Sequence, residues 1–203
     1  KEHKNGKWKK QIKYPQKWTE FTLEKTSITK GYNGLALLTG KLNNIIIIDI
    51  DNKDHWNNFL QENEQNEPDS VKAISGSGGL HYYFKYEDEL ENITSKDHCF
   101  GKEYDIDVRN NGACIIVPPT KYFNYNLEKE VEYIWEKNIF DHEIKPLPKW
   151  IKDLLLDNTK EKKELKHLKK KKNNNSNDKD IIKIQEIEIE IDPEDEEVDF
   201  TVG

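Results

Sequence analysis

Two aspartates at the end of an apolar run, Asp49 and Asp51, combine residue types and spacing that point to chemistry. They follow the four isoleucines at 45–48, and the alternation of a β-strand places both carboxylates on one face, with Ile50 on the other. Four consecutive isoleucines are typical of a strand covered on both sides, where charge is costly. Like charges about 4 Å apart repel by roughly 4 kcal/mol at an effective dielectric constant of about 20. The pair therefore predicts either a divalent cation or a raised pKa.

A glycine- and serine-rich segment precedes a second apolar strand, in the sequence SGSGGLHYYF at 75–84. Glycines such as Gly78 and Gly79 let backbone N–H groups approach an anion, and the imidazole of His81 can hydrogen-bond a phosphate oxygen. In the predicted strand, His81 and Tyr83 share one face, and Leu80, Tyr82 and Phe84 share the other. The segment therefore indicates an anion site that includes Ser77. The alternative is a glycine-serine hairpin with an incidental histidine.

A third acidic stretch reads DIDVR at 105–109. Strand alternation predicts that Asp105, Asp107 and Arg109 face the same way. The alternative is a charged hairpin edge in which Asp107 and Arg109 form a surface ion pair of little energetic value. For Asp49 and Asp51, the alternative is an aspartate-rich turn that starts the next helix.

The elements that must position these residues alternate between strands and helices. We expect turn residues at 40–44 to join the first two strands in a hairpin that leads into Asp49, and Asp54 to cap a helix ending near residue 66. That helix would carry Trp56, Phe59, Leu60 and Asn63 on one side. Strands are predicted at 34–39, 45–51, 71–74, 80–86, 104–108, 113–117 and 133–135, and helices at 15–26, at 54–66 and from Pro148 onward, the last with Trp150, Ile151, Leu154 and Leu155 as its apolar stripe.

Charge is distributed unevenly along the 203 residues. The chain carries a net charge of −7, but residues 180–203 hold ten acidic residues and one lysine, which leaves +2 for residues 1–179. Seven lysines stand among the first eighteen residues, together with Trp8, Tyr14 and Trp18. Lysines interleaved with aromatics suit a phosphate backbone and exposed bases, so Lys9, Lys10 and Lys13 are candidate DNA-binding residues. The alternative is a solvated leader whose aromatics pack on the domain.

Composition divides the chain into four segments: a basic arm at 1–14, a globular domain at 15–158, a flexible lysine- and asparagine-rich linker at 159–180, and an acidic tail or the start of a further domain at 181–203. The sequence contains no methionine, and we expect it to be part of a longer polypeptide. Two cysteines, without a secretory signal or a long apolar span, predict an intracellular, reducing environment.

Four blocks in order, IIIIDID, SGSGGLHYYF, DIDVRNNGACIIVPPT and YIW, resemble the bifunctional primase-polymerase domain of the archaeo-eukaryotic primase superfamily. The resemblance covers about residues 15–158. It is nearest to the version joined to superfamily 3 helicases in large DNA viruses and plasmids. It implies an α+β fold with an RRM-like core, mixed β-sheets flanked by helices, and an active-site cleft on the sheet. A helicase domain in the same polypeptide is the implied neighbour.

The resemblance also assigns roles to individual residues. Asp49, Asp51 and Asp107 match the three carboxylates that hold two divalent ions, expected here to be Mg²⁺ or Mn²⁺, and Asp51 is our candidate for the ligand that bridges them. His81 matches the histidine that contacts the phosphates of the incoming nucleotide, beside Ser77, Gly78 and Gly79, and Arg109 could assist the triphosphate. Asp51 stands where many members have glutamate, and Gly79 where others have serine; neither departure removes a metal ligand.

The sequence therefore predicts an enzyme that synthesises short primers, and could extend them, on single-stranded DNA from NTPs or dNTPs. Phosphoryl transfer to a 3′-hydroxyl mainly requires positioning and charge neutralisation, which carboxylate-bound Mg²⁺ or Mn²⁺ supplies. Two alternatives use the same residues. One is a nucleic-acid-binding module of the same fold that has lost turnover, and the other is a metal-dependent nuclease.

Overall fold

A computed structural model of the chain describes residues 17–18 and 34–158. The basic arm with Lys9, Lys10 and Lys13, nearly all of the helix predicted at 15–26, and the segments from 159 onward lie outside the described residues. No helix in the described part has the length and apolarity needed to cross a membrane.

The fold is of the α+β class and centres on one large sheet. Its strands are β2 (Ile45–Ile50), β3 (Val71–Ile74), β4 (Leu80–Lys85), β5 (Ile106–Arg109), β9 (Ile134–Lys137) and β10 (Lys145–Pro146). Five of them pair in the order β5-β2-β4-β3-β9, and all of these pairs are antiparallel. The short strand β10 pairs in parallel with the end of β4, so the sheet is mixed as predicted.

One face of the large sheet packs against two helices. Helix α1 (Lys53–Glu62) buries Trp56, Phe59 and Leu60, and a second helix, α2 at 149–158, buries Ile151 and Leu155. The even-numbered isoleucines of β2 and the side chains of Leu80, Tyr82 and Phe84 complete this core. Burying one such side chain contributes about 1.5–3 kcal/mol. Because this core fixes β2 and β4 from below, residues on their other face keep a constant position.

The opposite face of the sheet carries the odd-numbered residues of β2. Ile45 and Ile47 pack there with Tyr83, Val71 and Ile115 in a second, smaller core. It is covered by β1 (Leu35–Leu38) and β6 (Cys114–Val117), which form a two-stranded antiparallel sheet. A further antiparallel pair, β7 (Lys121–Asn124) and β8 (Lys129–Glu132), was not predicted.

The expected hairpin of the first two strands is wrong. β1 pairs with β6, in the register Leu35 opposite Val117, and joins β2 only through an isolated bridge between Gly40 and Ile45. At Gly40 the backbone has φ +92° and lies against Asn111, where a Cβ would be 2.2 Å from the Asn111 Oδ1 atom. The chain therefore leaves one sheet at Gly40 and enters the other.

Helix α1 differs from its prediction at both ends. Its N-cap is Asn52, whose Oδ1 accepts hydrogen bonds from the N–H groups of Asp54 (2.9 Å) and His55 (3.3 Å). It ends at Glu62 because Glu64 adopts a left-handed φ of 53°. The Gln65 N–H then reaches back to the Leu60 carbonyl at 2.9 Å, which is the Schellman pattern. No glycine marks this stop.

Candidate active site

Three of the predicted site residues lie side by side on adjacent strands. In the antiparallel register, Asp49 of β2 is directly opposite His81 of β4 on one side and Asp107 of β5 on the other. Cross-strand neighbours have Cβ atoms about 4.5–5.5 Å apart, so the three side chains share one face at contact distance. Asp49 and Asp107, which are 58 positions apart in the sequence, thus meet because β2 lies between β4 and β5.

Asp49 is held between the imidazole of His81 and the guanidinium of Arg109. Its Oδ1 lies 3.2 Å from the Nε2 atom of His81, and its Oδ2 lies 3.6 Å from the Nε atom of Arg109. Burial by itself would raise the pKa of Asp49, but the hydrogen bond from His81 and the charges of His81 and Arg109 outweigh it and lower the pKa. Asp49 is therefore ionised at neutral pH. His81 is buried, and its Nδ1 atom has no hydrogen-bond partner among the described residues.

Asp107 is almost as buried as His81. Its pKa is raised, whereas that of Asp49 is lowered. Its Oδ1 accepts a hydrogen bond from the backbone N–H of His98 (2.8 Å), and its Oδ2 accepts one from Nη2 of Arg109 (2.5 Å). Burial, together with the negative charges of Asp97 and Asp49, raises the pKa of Asp107 to about 6, against the lowering effects of the His98 N–H and of Arg109. With only 8% of its side chain exposed, Asp107 is not the surface ion pair that was considered as an alternative.

Asp51 lies just beyond the last residue of β2 and is exposed. Its pKa is raised, first because neighbouring atoms exclude part of its hydration and then because of the charge of Asp49. The predicted alignment of Asp105 with Asp107 is wrong, because Asp105 has a left-handed φ of 49° and precedes β5. Its carboxylate instead lies 2.9 Å from the Nδ1 atom of His55 and 3.5 Å from that of His98.

The glycine-serine segment forms the tight connection between β3 and β4. The N–H groups of Gly78 and Gly79 donate within the turn, to the Ser75 carbonyl (2.9 Å) and the Ser75 hydroxyl (3.0 Å). Ser77 and Gly78 are exposed at its tip, and the Ser77 hydroxyl lies 3.1 Å from that of Ser75. A Cβ on Gly79 would lie 2.4 Å from the Ile50 carbonyl and 3.3 Å from the Asp51 Cα, so the turn packs directly against the end of β2.

Tyr133 and Asp97 also contact residues of this site, and the sequence analysis does not identify either of them as a site residue. Tyr133 is buried, with its ring 5.6 Å from that of His81. Its pKa is raised by burial, by Tyr122 and by the charges of Asp49 and Asp51. Asp97 binds Arg109 at 2.6 Å between Oδ1 and Nη1. The YIW block contains Tyr133, so its position was signalled; Asp97 stands in a polar loop with no periodicity to mark it.

The structure thus brings Asp49, His81, Asp107 and Arg109 into contact, with Asp51 and the glycine-serine turn at one end of the row. Among residues 17–18 and 34–158, however, no group of three or more His, Cys, Asp or Glu side chains is already arranged to hold a metal ion. The guanidinium of Arg109 stands against Asp49 and Asp107. In this structure the guanidinium of Arg109 therefore neutralises the charge of the two largely buried carboxylates, Asp49 and Asp107.

Most of the chain matches a model of a known protein family. The family model described as "Bifunctional DNA primase/polymerase, N-terminal" matches residues 4–150, which is more than half of the chain. The matched region includes β1 through β10 and every site residue described above. No curated protein matches the chain.

Proposed function

The chain belongs to the bifunctional DNA primase/polymerase family, and from this membership and the geometry of the site we propose that it is a nucleotidyltransferase. It would join nucleotides from NTPs or dNTPs to a 3′-hydroxyl on a single-stranded DNA template, first making a primer and then extending it. Its sites of action would be those of intracellular or viral DNA replication, with a helicase domain as a neighbour in the same polypeptide.

The observation that carries the proposal is the row of Asp107, Asp49 and His81 across three neighbouring strands. Catalysis of phosphoryl transfer depends on holding charged groups in fixed positions. The two carboxylates and the imidazole are fixed by ladder hydrogen bonds and by the helix-packed core beneath them. Structural ion pairs are found mostly at surfaces, whereas His81 and Asp107 are buried and only 13% of the Asp49 side chain is exposed, which favours a functional explanation.

The donor set fits the divalent cations on which this family generally depends. Carboxylate oxygens are the ligands that Mg²⁺ and Mn²⁺ prefer, and Asp49, Asp51 and Asp107 would supply them. Two ions, when bound, would neutralise the triphosphate and increase the nucleophilicity of the 3′-hydroxyl. Burial is the first cause of the raised pKa values of Asp51 and Asp107, and the negative charge of Asp49 raises both further.

The remaining residues would bind and orient the nucleotide. The buried Nδ1 atom of His81 has no hydrogen-bond partner within residues 34–158, and a phosphate oxygen could supply one. Ser77, at the exposed tip of the turn, would contribute its hydroxyl, while Gly78 and Gly79 would hold the turn close to Asp51. Arg109 would bind a phosphate oxygen with its planar fork of donors.

Primer synthesis on a single-stranded template, with labelled nucleotides and Mg²⁺ or Mn²⁺, tests the proposal directly. Asp49→Asn and Asp107→Asn should each lower product formation by a factor of at least about 100, a size typical of lost electrostatic stabilisation in a transition state. Asp88→Asn is the matched control, because Asp88 is exposed and pairs with Lys41 away from the site. Full activity in Asp49→Asn would remove the proposed site.

The two alternatives give different results with the same protein. A nuclease would shorten a labelled single strand in the presence of metal without nucleotides. A binding module that has lost turnover would retain nucleotide and DNA affinity, form no product, and bind nucleotide equally well with EDTA or metal. Either pattern would replace the proposed function.

A further inference from the structure

The side chain of Arg109 touches three carboxylates. Its Nη2 lies 2.5 Å from Asp107 Oδ2, its Nη1 lies 2.6 Å from Asp97 Oδ1, and its Nε lies 3.6 Å from Asp49 Oδ2. The second oxygen of Asp107 accepts the His98 N–H, and the second oxygen of Asp49 faces His81. Each carboxylate therefore turns its remaining oxygen, Oδ2 of Asp107 and Oδ2 of Asp49, toward Arg109.

A divalent cation bound by Asp49 and Asp107 would stand beside this guanidinium. The two positive charges would repel each other at close range in a partly buried site, where charge interactions are stronger than in bulk water. Cation binding and the present position of Arg109 therefore oppose each other. The opposition is relieved if the guanidinium moves away from the two carboxylates.

Asp97 differs from the other two partners in a way that suits it to receive Arg109. Its side chain is 67% exposed, against 13% for Asp49 and 8% for Asp107. It lies in the loop before β5 and not on the sheet, next to His98, whose N–H holds Asp107. A guanidinium that keeps only its bond to Asp97 would sit at the edge of the site, hydrated and within reach of a triphosphate.

We propose that Arg109 competes with divalent cations for Asp49 and Asp107, and that Asp97 is a positioning residue that retains Arg109 at the edge of the site when cations bind. The proposal rests on the proposed function, since it assumes that the carboxylates hold metal. It adds a residue, Asp97, and makes the arginine a displaceable internal counter-ion. Metal binding would then also deliver Arg109 to the position from which it binds the nucleotide.

The test measures Mn²⁺ affinity without nucleotide, from the electron paramagnetic resonance signal of free Mn²⁺ at low ionic strength. Arg109→Gln should bind Mn²⁺ about tenfold more tightly, because the competing charge is gone. Asp97→Asn should bind it about threefold more weakly, a factor within the range of an exposed ion pair. Asp88→Asn, which removes the same group from the exposed pair with Lys41, should leave the affinity unchanged.

A double-mutant cycle separates positioning from simple loss of charge. The Asp97→Asn effect should vanish when Arg109→Gln is also present, because Asp97 then has no guanidinium to hold. An equal Asp97→Asn effect in both backgrounds, or Arg109→Gln binding no tighter than the unmodified protein, would overturn the proposal. If circular dichroism shows Arg109→Gln unfolded, Arg109→Lys takes its place. Its single ammonium cannot span two carboxylates, so the Asp97→Asn effect should then be smaller; an undiminished effect overturns the proposal.

Failure of the underlying function gives a separate signature. If the unmodified protein binds no Mn²⁺, or if Asp49→Asn binds it equally well, the metal site fails and this proposal fails with it. If Mn²⁺ binding depends on Asp49 but ignores Asp97, only the role of Asp97 and Arg109 is overturned.

Discussion

The buried carboxyl of Asp107 should make the stability of this protein depend on pH in a defined window. Its pKa is about 6 in the folded protein against an ordinary value of 3.8. Below pH 4 both folded and unfolded chains carry the proton, so Asp107 has no effect. Between pH 4 and pH 6 the unfolded chain releases the proton and the folded chain keeps it. The free energy of unfolding therefore falls as pH rises through this range, and above about pH 7 the loss is complete.

The size of this loss follows from the two pKa values. They differ by about 2, and each pKa unit corresponds to about 1.4 kcal/mol, so ionised Asp107 costs about 3 kcal/mol of stability at pH 8. Burial is the main cause of this cost. The lowered pKa of Asp49 acts in a different window: its stabilisation is present above pH 4 and is lost only as pH falls further. The two effects are therefore separable.

Urea denaturation in EDTA at pH 4.5, 6 and 8 measures the effect, with Asp107→Asn as the reference. Asparagine can still accept the His98 N–H, but it cannot ionise. The stability of the unmodified protein relative to Asp107→Asn should fall by about 2 kcal/mol across this range, because about 1 kcal/mol of the total loss already occurs below pH 4.5. Mg²⁺ at pH 8 should restore much of the loss only in the unmodified protein. A difference between the two proteins that stays constant with pH would refute the assignment of the buried charge to Asp107.

Three further predictions concern the turn, a buried amide and the basic arm. Gly79→Ala should abolish most activity and lower the free energy of unfolding by at least about 2 kcal/mol, because its Cβ would lie 2.4 Å from the Ile50 carbonyl oxygen. Gly78→Ala has nothing within 4 Å of its Cβ but a φ of +98°, so it should cost about 1 kcal/mol and retain more activity. Urea denaturation and nucleotide incorporation measure the two effects. Asn110→Ala should lower the free energy of unfolding by about 2–3 kcal/mol, since the buried Nδ2 donates to the carbonyls of Leu90 (2.9 Å) and Ile93 (2.8 Å); exposed Asn58→Ala is the control, and equal costs would contradict the prediction. Replacing Lys9, Lys10 and Lys13 by glutamine should weaken single-stranded DNA binding and reduce the salt slope by about 2, measured by fluorescence anisotropy; an unchanged slope would show that these lysines do not contact phosphates.

Strand periodicity predicted the central part of the site because that part depends on local alternation. The alternation of β2 and β4 correctly placed Asp49 and His81 on the faces seen in the structure, away from the helix-packed core. It failed at Asp105, where a left-handed residue breaks the strand, since a single φ angle has no sequence signature in a non-glycine residue. Tertiary pairing was the other gap. β1 was expected beside its sequence neighbour, but it pairs with β6, about 80 residues further along the chain.

Asp97 lay beyond the reach of sequence reasoning for a different physical reason. A residue on the sheet has its neighbours fixed by the register, so Asp49 must meet His81 and Asp107 once β2 lies between β4 and β5. A loop residue has no such constraint, and Asp97 reaches Arg109 only because the loop returns along β5 through the hydrogen bonds between Lys96 and Val108. In the proposed enzyme, the rigid sheet would hold Asp49, Asp107 and His81 at constant distances. The exposed loop, whose side chains rearrange at low cost, would carry Asp97, the partner proposed to retain Arg109 when cations bind.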